Sequence, residues 1–283
     1  MLFLAAIIAI GLLQVWGTAE RVHSDAWFHS WRSRVAGWDL SGGIQLVMVV
    51  LLPSLLALWA LDLLEHVLFG VPWIGAAALL LLYGFGRGDF RDAMAHYRGH
   101  AHSGDFEGAY LAACEEFGWD EPDDRPGSAN EVHALIQQAL VYEGFQRWFA
   151  VLFYFVVLGP AGALAYRLVQ LCRGQFEPAI TERWLFYLDW IPARLLAAAF
   201  ALTGDFIGSR SALLAAVQDA SKEAGELLYG VATAALGSGL AGPDAEGVDF
   251  GPAAAVRNRE LASLLSRSAV CWVVVLALLV LLF

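Results

Sequence analysis

Six strongly apolar stretches divide this chain of 283 residues, and they constrain its fold more than any other feature. Hydrophobic residues make up 59% of the chain, against about half in a typical soluble domain. The stretches are 1–16, 44–61, 71–83, 148–168, 184–203 and 269–283. A helix needs roughly 20 apolar residues to cross a bilayer, so the shorter ones must use flanking residues or cross a thinned region. We therefore predict an all-α, polytopic helical membrane protein with about five or six membrane segments, whose main partner is the lipid bilayer.

The stretch 71–83 allows two interpretations. It follows 44–61 after only a short, semi-polar link, and that spacing fits either a re-entrant arm or the second helix of a crossing hairpin. We adopt the crossing hairpin. If 71–83 or 184–203 does not cross, every assignment of side after it inverts.

Arginine and lysine residues predict the orientation, because cytoplasmic loops of membrane proteins carry an excess of them. With six crossings, the segments 17–43, 84–147 and 204–267 share one side and hold thirteen of the 17 basic residues. The opposite side holds only Arg167, Arg173 and Arg183, and Arg194 lies within a stretch. The prediction therefore places the three basic segments in the cytoplasm and both termini outside.

The polar segments are predicted to belong to one integral membrane domain, 1–283, with cytoplasmic insertions at about 84–147 and 204–267. Helices are expected at 91–102 and 106–117, with Asp105 able to cap the second, and from 128 onward. One further amphipathic helix is expected over 210–236. The insertions are expected to pack on one another. The net charge of −11 argues against nucleic acid as a partner.

One polar cluster has a spacing that suits a metal. Asp92, His96 and His100 recur every four residues on a predicted helix, a geometry able to hold a divalent cation. The alternative is an interfacial helix whose histidines face water or lipid headgroups. The only lysine is Lys222, which excludes a GxxxxGK[ST] phosphate loop, and no HExxH or CxxC occurs. The cofactor is therefore unknown, with a divalent metal as the one these residues suggest.

Asp189 and Arg194 flank Pro192 at the mouth of an apolar stretch. Each charge costs about 2.5–3.5 kcal/mol at mid-membrane on insertion scales, so each needs a partner. Two interpretations stay open. Asp189 caps a helix whose first turn contains Pro192 while Arg194 snorkels to the headgroups, or the two side chains form a buried functional pair.

Two blocks of sequence carry a resemblance to a known family. Residues 149–167, FAVLFYFVVLGPAGALAYR, and 189–195, DWIPARL, resemble the AmpE family of bacterial inner-membrane proteins, and the size and span pattern agree over nearly the whole chain. That family resembles, more remotely, the CbiB/CobD cobinamide-phosphate synthases. The resemblance implies an inner-membrane protein with a signalling role in peptidoglycan recycling and β-lactamase induction, without an established reaction.

The chain departs from the synthases at two chemical motifs. Those enzymes join an amino-alcohol phosphate to a corrinoid carboxylate with ATP and magnesium, using an Ala-Glu-Asn-Thr-Ser-Asp-Gly-like motif before the LGPPGALAYR span. Here the matching residues 142–147 read YEGFQR, and Glu143 alone survives. The synthases' Ser-Pro-Asn-Ala-Gly-Trp stretch is replaced at 221–226 by SKEAGE. Most oxygen ligands for magnesium are lost, which favours a role without catalysis.

We expect a ligand or partner site at the cytoplasmic interface. Its predicted residues are Glu143, Arg147, Arg87, Asp89, Asp189 and Arg194. The leading hypothesis is a regulatory membrane protein that binds an unknown small ligand or protein partner there. The alternatives are a membrane amide synthetase resembling the cobinamide enzyme, and a small transporter, which only Asp189 and Arg194 suggest.

Overall fold

The computed structural model describes residues 1–16, 25–85, 90–119, 126–174, 178–237 and 250–282, and within these ranges the regular structure is all helical, as predicted. The chain forms two compact units. The first unit contains Met1–Gly88, Gln146–Pro192 and Leu276–Phe283, and the second contains Asp89–Phe145 and Ala193–Val275. The single membrane domain over 1–283 stays a prediction.

Four helical runs in the described ranges are long and apolar enough to cross a membrane: Gly42–Glu65, Ala129–Leu171, Ala179–Thr203 and Phe250–Leu278. Two shorter apolar helical runs, Leu2–Leu13 and Leu68–Gly84, correspond to the remaining predicted stretches. All six stretches are therefore helical where described. The predicted count of five or six crossings is not confirmed, because only four runs meet the length.

The first unit begins with four helices: α1 (Leu2–Trp16), α2 (Ala26–Ala36), α3 (Gly42–Glu65) and α4 (Val71–Gly84). A 3₁₀ turn, Leu68–Gly70, joins α3 to α4, and the Met1 side chain lies against Gly70 of that turn. The core of this unit is apolar. It contains Phe28, Val35, Leu46, Val49, Val50, Leu164, Leu168, Val169 and Leu185, all buried.

A helical hairpin completes the first unit. The chain runs from α7 (Ala129–Gly144) through a π-helical segment (Phe145–Ala150) into α8 (Val151–Leu171), and α8 doubles back at Gly159. The Gln170 side chain donates to the Gln146 carbonyl at 3.1 Å, whereas a straight helix would separate these residues by about 36 Å. We name residues 146–171 the 146–171 hairpin, with arms 146–158 and 160–171. The predicted stretch 148–168 is thus helical but reverses direction within itself.

Gly159 and Pro160 make this reversal. Gly159 has φ 76° and ψ −172°, a region essentially restricted to glycine. Pro160 has no N–H, so the second arm starts without an unpaired donor at that position. Gly162 lets the arms approach, because a Cβ atom there would lie 2.9 Å from the Tyr154 carbonyl oxygen.

The second unit is built from helices that flank the hairpin in sequence. They are α5 (Phe90–Ser103), α6 (Phe106–Phe117), α7, α10 (Phe206–Gln218) and α11 (Ala224–Ala235), with parts of α9 (Pro178–Thr203) and α12 (Phe250–Leu282). Asp105 caps α6 through the Gly108 N–H at 2.9 Å, as predicted. Ser128 caps α7 through the Glu131 N–H at 3.2 Å, where the sequence predicts a helix start.

The single helix predicted over 210–236 is wrong, because the chain breaks between α10 and α11. The Asp219 carboxylate accepts from the Ser221 N–H at 2.9 Å and from the Ser221 hydroxyl at 2.6 Å. This local turn competes with helical hydrogen bonding and ends α10. The apolar periodicity on either side conceals the break.

Buried polar groups join three helices of the second unit. Arg98 of α5 donates to the Asn258 side-chain oxygen at 3.0 Å, and the Asn258 amide donates to Gln137 Oε1 of α7 at 3.3 Å. Tyr97 and His133, both buried, are hydrogen-bonded beside this connection. We name Arg98, Asn258, Gln137, Tyr97 and His133 the Asn258 network. The two predicted insertions therefore pack on one another, as expected.

Candidate functional site

Asp189 lies within the first unit and is 1% exposed. Its Oδ1 atom accepts from the Tyr166 hydroxyl at 2.6 Å, and its Oδ2 atom accepts from the Gln146 amide at 3.3 Å. Burial of a carboxylate costs several kcal/mol unless donors compensate it. We name Asp189, Tyr166, Gln146, Gln170 and Tyr154 the Asp189 cluster.

Both arms of the 146–171 hairpin contribute to this cluster. Gln146 belongs to the π-helical segment, a distortion that occurs frequently at functional sites. Its carbonyl accepts from Gln170 on the other arm while its side chain donates to Asp189. Gln146 therefore ties the two arms to each other and to α9.

Tyr154 compensates a break in α9. Pro192 lacks the N–H that would bond to the Leu188 carbonyl four residues earlier. The Tyr154 hydroxyl donates to that carbonyl at 2.7 Å. Its ring also stacks on Tyr166, with centroids 5.0 Å apart and planes at 21°. Two stacked tyrosines from opposite arms thus donate hydrogen bonds to adjacent residues of α9.

The chemistry of the cluster follows from its donors. A phenol and a carboxamide, both neutral, contact the Asp189 carboxylate. A buried carboxylate that already accepts from two side chains on a broken hairpin is suited to receive a donor group of a ligand. Because its donors sit on that hairpin, this event would also act on the packing of the hairpin against α9.

The Asp189–Arg194 pair stays a prediction, whereas the predicted capping role of Asp189 is wrong. Asp189 lies well inside α9, which starts at Pro178, so Asp189 does not cap that helix. Five residues along a helix correspond to a rotation of about 140° between the two side chains. Arg194 belongs to the second unit and donates to the Asp219 carbonyl at 2.6 Å. The Ser221 hydroxyl and N–H bonds hold the pKa of the Asp219 carboxyl below its ordinary value.

The other predicted ligand residues are distributed over the chain. Glu143 is half-buried near the end of α7, in the second unit, and Arg147 is half-buried in the π-helical segment, in the first unit. Arg87 and Asp89 lie outside the described residues. Their convergence on one site stays a prediction.

The predicted metal residues lie on α5. The His96 and His100 rings are 5.1 Å apart, and His100 Nδ1 lies 3.0 Å from Asp105 Oδ2. The Gly108 N–H and His100 hold the pKa of Asp105 below its ordinary value. Among the residues that the structure describes, no three His, Cys, Asp or Glu side chains form a group able to hold a metal ion. Binding of a metal by Asp92, His96 and His100 stays a prediction.

Four residues of the Asp189 cluster were not among the predicted site residues. Gln146, Tyr154, Tyr166 and Gln170 are polar positions in an apolar run, and they are spaced almost symmetrically about Gly159 and Pro160. That symmetry, read together with a Gly-Pro pair, is the signal from which the cluster could have been found.

These features define a class of protein: an all-helical protein with helices apolar enough to cross a membrane and a carboxylate buried among them. The chain belongs to the AmpE family, because the sequence profile described as "Regulatory signalling modulator protein AmpE" matches residues 1–282. No curated protein and no solved structure matches the chain. The predicted family is therefore confirmed over the whole chain.

Proposed function

We propose that this chain is a regulatory protein of the bacterial inner membrane that acts in peptidoglycan recycling and β-lactamase induction, and that it signals through the Asp189 cluster. Its family is described as a regulatory signalling modulator, which supports the regulatory part. The buried carboxylate on a broken helical hairpin supports the part concerning the cluster.

The proposed signal is a change in how the 146–171 hairpin packs on α9. A ligand or partner binds at the cytoplasmic face near Arg147, the second residue of the hairpin. Its binding energy shifts the population of two packings, which differ in the bonds that Asp189 accepts from Tyr166 and Gln146.

The test is a β-lactamase induction reporter in a host that lacks its own copy of the gene. Asp189→Asn keeps the shape of the side chain but removes its charge, and Tyr166→Phe removes one donor. Both variants should lose most of the regulatory effect while the protein accumulates normally in the membrane fraction. Tyr187→Phe is the matched control, because Tyr187 lies on α9, the helix that carries Asp189, and its side chain is 68% exposed. Normal regulation by Asp189→Asn at wild-type abundance would contradict the proposal.

A small transporter is a second candidate, favoured by the same observation. Transporter sites are commonly built at interrupted helices, and here α8 is interrupted at Gly159 and α9 contains Pro192. Proteoliposomes that take up muropeptide fragments, with uptake abolished by Asp189→Asn, would favour transport over signalling. If the protein restores regulation in cells but its proteoliposomes take up no muropeptide fragments, signalling is favoured over transport.

The amide synthetase alternative has its own assay. Purified protein is incubated with ATP, magnesium and cobinamide precursors, with Glu143→Gln as the comparison. Turnover that depends on Glu143 would overturn the regulatory proposal, because Glu143 is the residue retained from the synthases' motif.

A further inference from the structure

The two ends of the 146–171 hairpin meet, and its tip is apolar. We propose that this hairpin is re-entrant: it enters the bilayer from the cytoplasmic face, turns at Gly159 and Pro160 within the hydrocarbon, and returns to the same face. Its exposed tip residues, Val156, Val157 and Leu158, contact lipid acyl chains.

The arms are too short for a normal crossing. They contain 13 and 12 residues, about 20 Å and 18 Å of helix against a hydrocarbon core of roughly 30 Å. A Cβ atom on Gly84, at the end of α4, would lie 2.8 Å from Val151 of the first arm. If α4 and this arm run side by side, the tip ends roughly 10 Å short of Val71, the other end of α4.

Polarity is divided along the hairpin. Val156, Val157 and Leu158 at the tip are 38%, 58% and 61% exposed, and none carries a polar side chain. The open end carries Gln146, Arg147, Arg167, Gln170 and the exposed Arg173. A segment that enters a bilayer from one face requires this division, because charged side chains have to stay near headgroups and water.

Contacts at the open end identify the face. Arg32 of α2 donates to the Leu171 carbonyl at 3.1 Å, and Arg167 lies 3.8 Å from the Asp25 carboxylate. Arg32 and Asp25 belong to the segment 17–43, whose basic residues predict a cytoplasmic location. A single crossing over 148–168 would place Leu171 on the opposite face, about 30 Å from Arg32. The observed contacts are incompatible with that arrangement.

The start of α9 lies beside the beginning of α3. A Cβ atom on Gly43, at the beginning of α3, would lie 3.6 Å from the Ile180 side chain.

This topology removes the exceptions to the positive-inside rule. Only Arg167, Arg173 and Arg183 were assigned to the outer face. Arg167 lies in the second arm, Arg173 follows that arm, and Arg183 lies near the start of α9. A re-entrant hairpin returns them to the cytoplasmic face.

Site-directed labelling tests the proposal. In the full chain with Cys114 and Cys271 changed to Ser and the buried Cys172 changed to Ala, single cysteines replace Arg173 or Glu182, both exposed near the open end. Glu115→Cys on α6 and Phe69→Cys in the α3–α4 turn mark the two faces, and Phe69 is 100% exposed. A membrane-impermeant maleimide is added to intact cells and to inverted vesicles. Detergent extraction with a single size-exclusion peak shows that each variant is folded.

The expected result is that the maleimide labels Arg173→Cys and Glu182→Cys only from the side that labels Glu115→Cys. No labelling of these two variants is expected from the other side. Reaction from the side of Phe69→Cys would overturn the proposal. A Val157→Cys variant carrying a fluorophore should be quenched by brominated lipids and should resist the impermeant reagent from both sides. Labelling of Val157→Cys from the side of Phe69→Cys would show that the arms cross completely, contrary to the proposal.

Discussion

The Asp189 cluster and the Asn258 network are both buried and polar, but their side chains form hydrogen bonds to different parts of the structure. In the Asn258 network, neutral amides and Arg98 join regular helices to one another. In the Asp189 cluster, the Tyr154 hydroxyl compensates a break in the backbone itself, at Pro192. A network that joins intact helices mainly stabilises one structure, whereas polar groups placed at breaks allow a helix to change its path.

The largest expected effect concerns the reversal at Gly159. Gly159→Ala places a side chain at φ 76° and ψ −172°, which should cost about 1–3 kcal/mol and lower the unfolding temperature in detergent. Gly99→Ala is the control, because Gly99 is an exposed helical residue with no heavy atom within 4 Å of its Cβ position. That change should stabilise α5 slightly. Equal unfolding temperatures for the two variants would show that the reversal is not restricted to glycine.

Asn258→Ala separates stability from signalling. It removes the hydrogen bonds to Arg98 and Gln137 and leaves buried polar atoms, so it should destabilise the protein by about 1–3 kcal/mol. Its regulatory effect per folded molecule should be normal. Asp189→Asn should do the reverse, with near-normal thermal unfolding and lost regulation. If Asn258→Ala abolished regulation at normal abundance, the distinction between the two polar regions would fail.

Tyr154→Phe tests the compensation at Pro192. Loss of the hydroxyl leaves the Leu188 carbonyl without its donor and should cost about 1–2 kcal/mol in thermal unfolding. In a Pro192→Ala background the alanine N–H can bond to that carbonyl, so the same change should cost less. A double-mutant cycle measures the difference. Strict additivity of the two substitutions would mean that Tyr154 does not compensate the proline.

The smallest effect is expected at Asp105, which is a surface cap. The Gly108 N–H and His100 lower the pKa of Asp105, so its stabilisation is present above the ordinary carboxyl pKa. That stabilisation is lost as the pH falls through the lowered value. The protection factors of the α6 amides, which are corrected for the intrinsic pH dependence of exchange, should therefore fall in acid for the wild-type chain, and Asp105→Asn should flatten this dependence. An unchanged acid dependence in Asp105→Asn would assign it to other groups.

The sequence predicts the helices and their caps better than their direction. Apolar composition marks 148–168 as helical, and Asp105 marks a helix start, because both signals are local. A Gly-Pro pair in an apolar run fits a kinked crossing helix as well as a reversal, since φ is not encoded by hydrophobicity. The break at Asp219 is hidden for a related reason, because the apolar periodicity continues across it.

The candidate site was predictable only in part. Asp189 stands out because a carboxylate in an apolar stretch needs a partner. Its partners Tyr166 and Gln146 are 23 and 43 residues away in the chain, and helix spacing alone does not pair residues across a reversal. Arg194 was predicted as a partner because it is near in sequence. That pairing stays a prediction, and the Arg194 side chain donates to the Asp219 carbonyl.

Because the turn depends on one residue, the lengths of the two arms have to match each other. Adding one residue to a single arm would rotate everything beyond it by about 100° and shift it by about 1.5 Å, which would carry Gln146 away from Gln170. Family members are therefore expected to tolerate insertions in this region only as balanced pairs, one on each side of the glycine. Chimeras that exchange both arms together should assemble, while exchanges of one arm of different length should not.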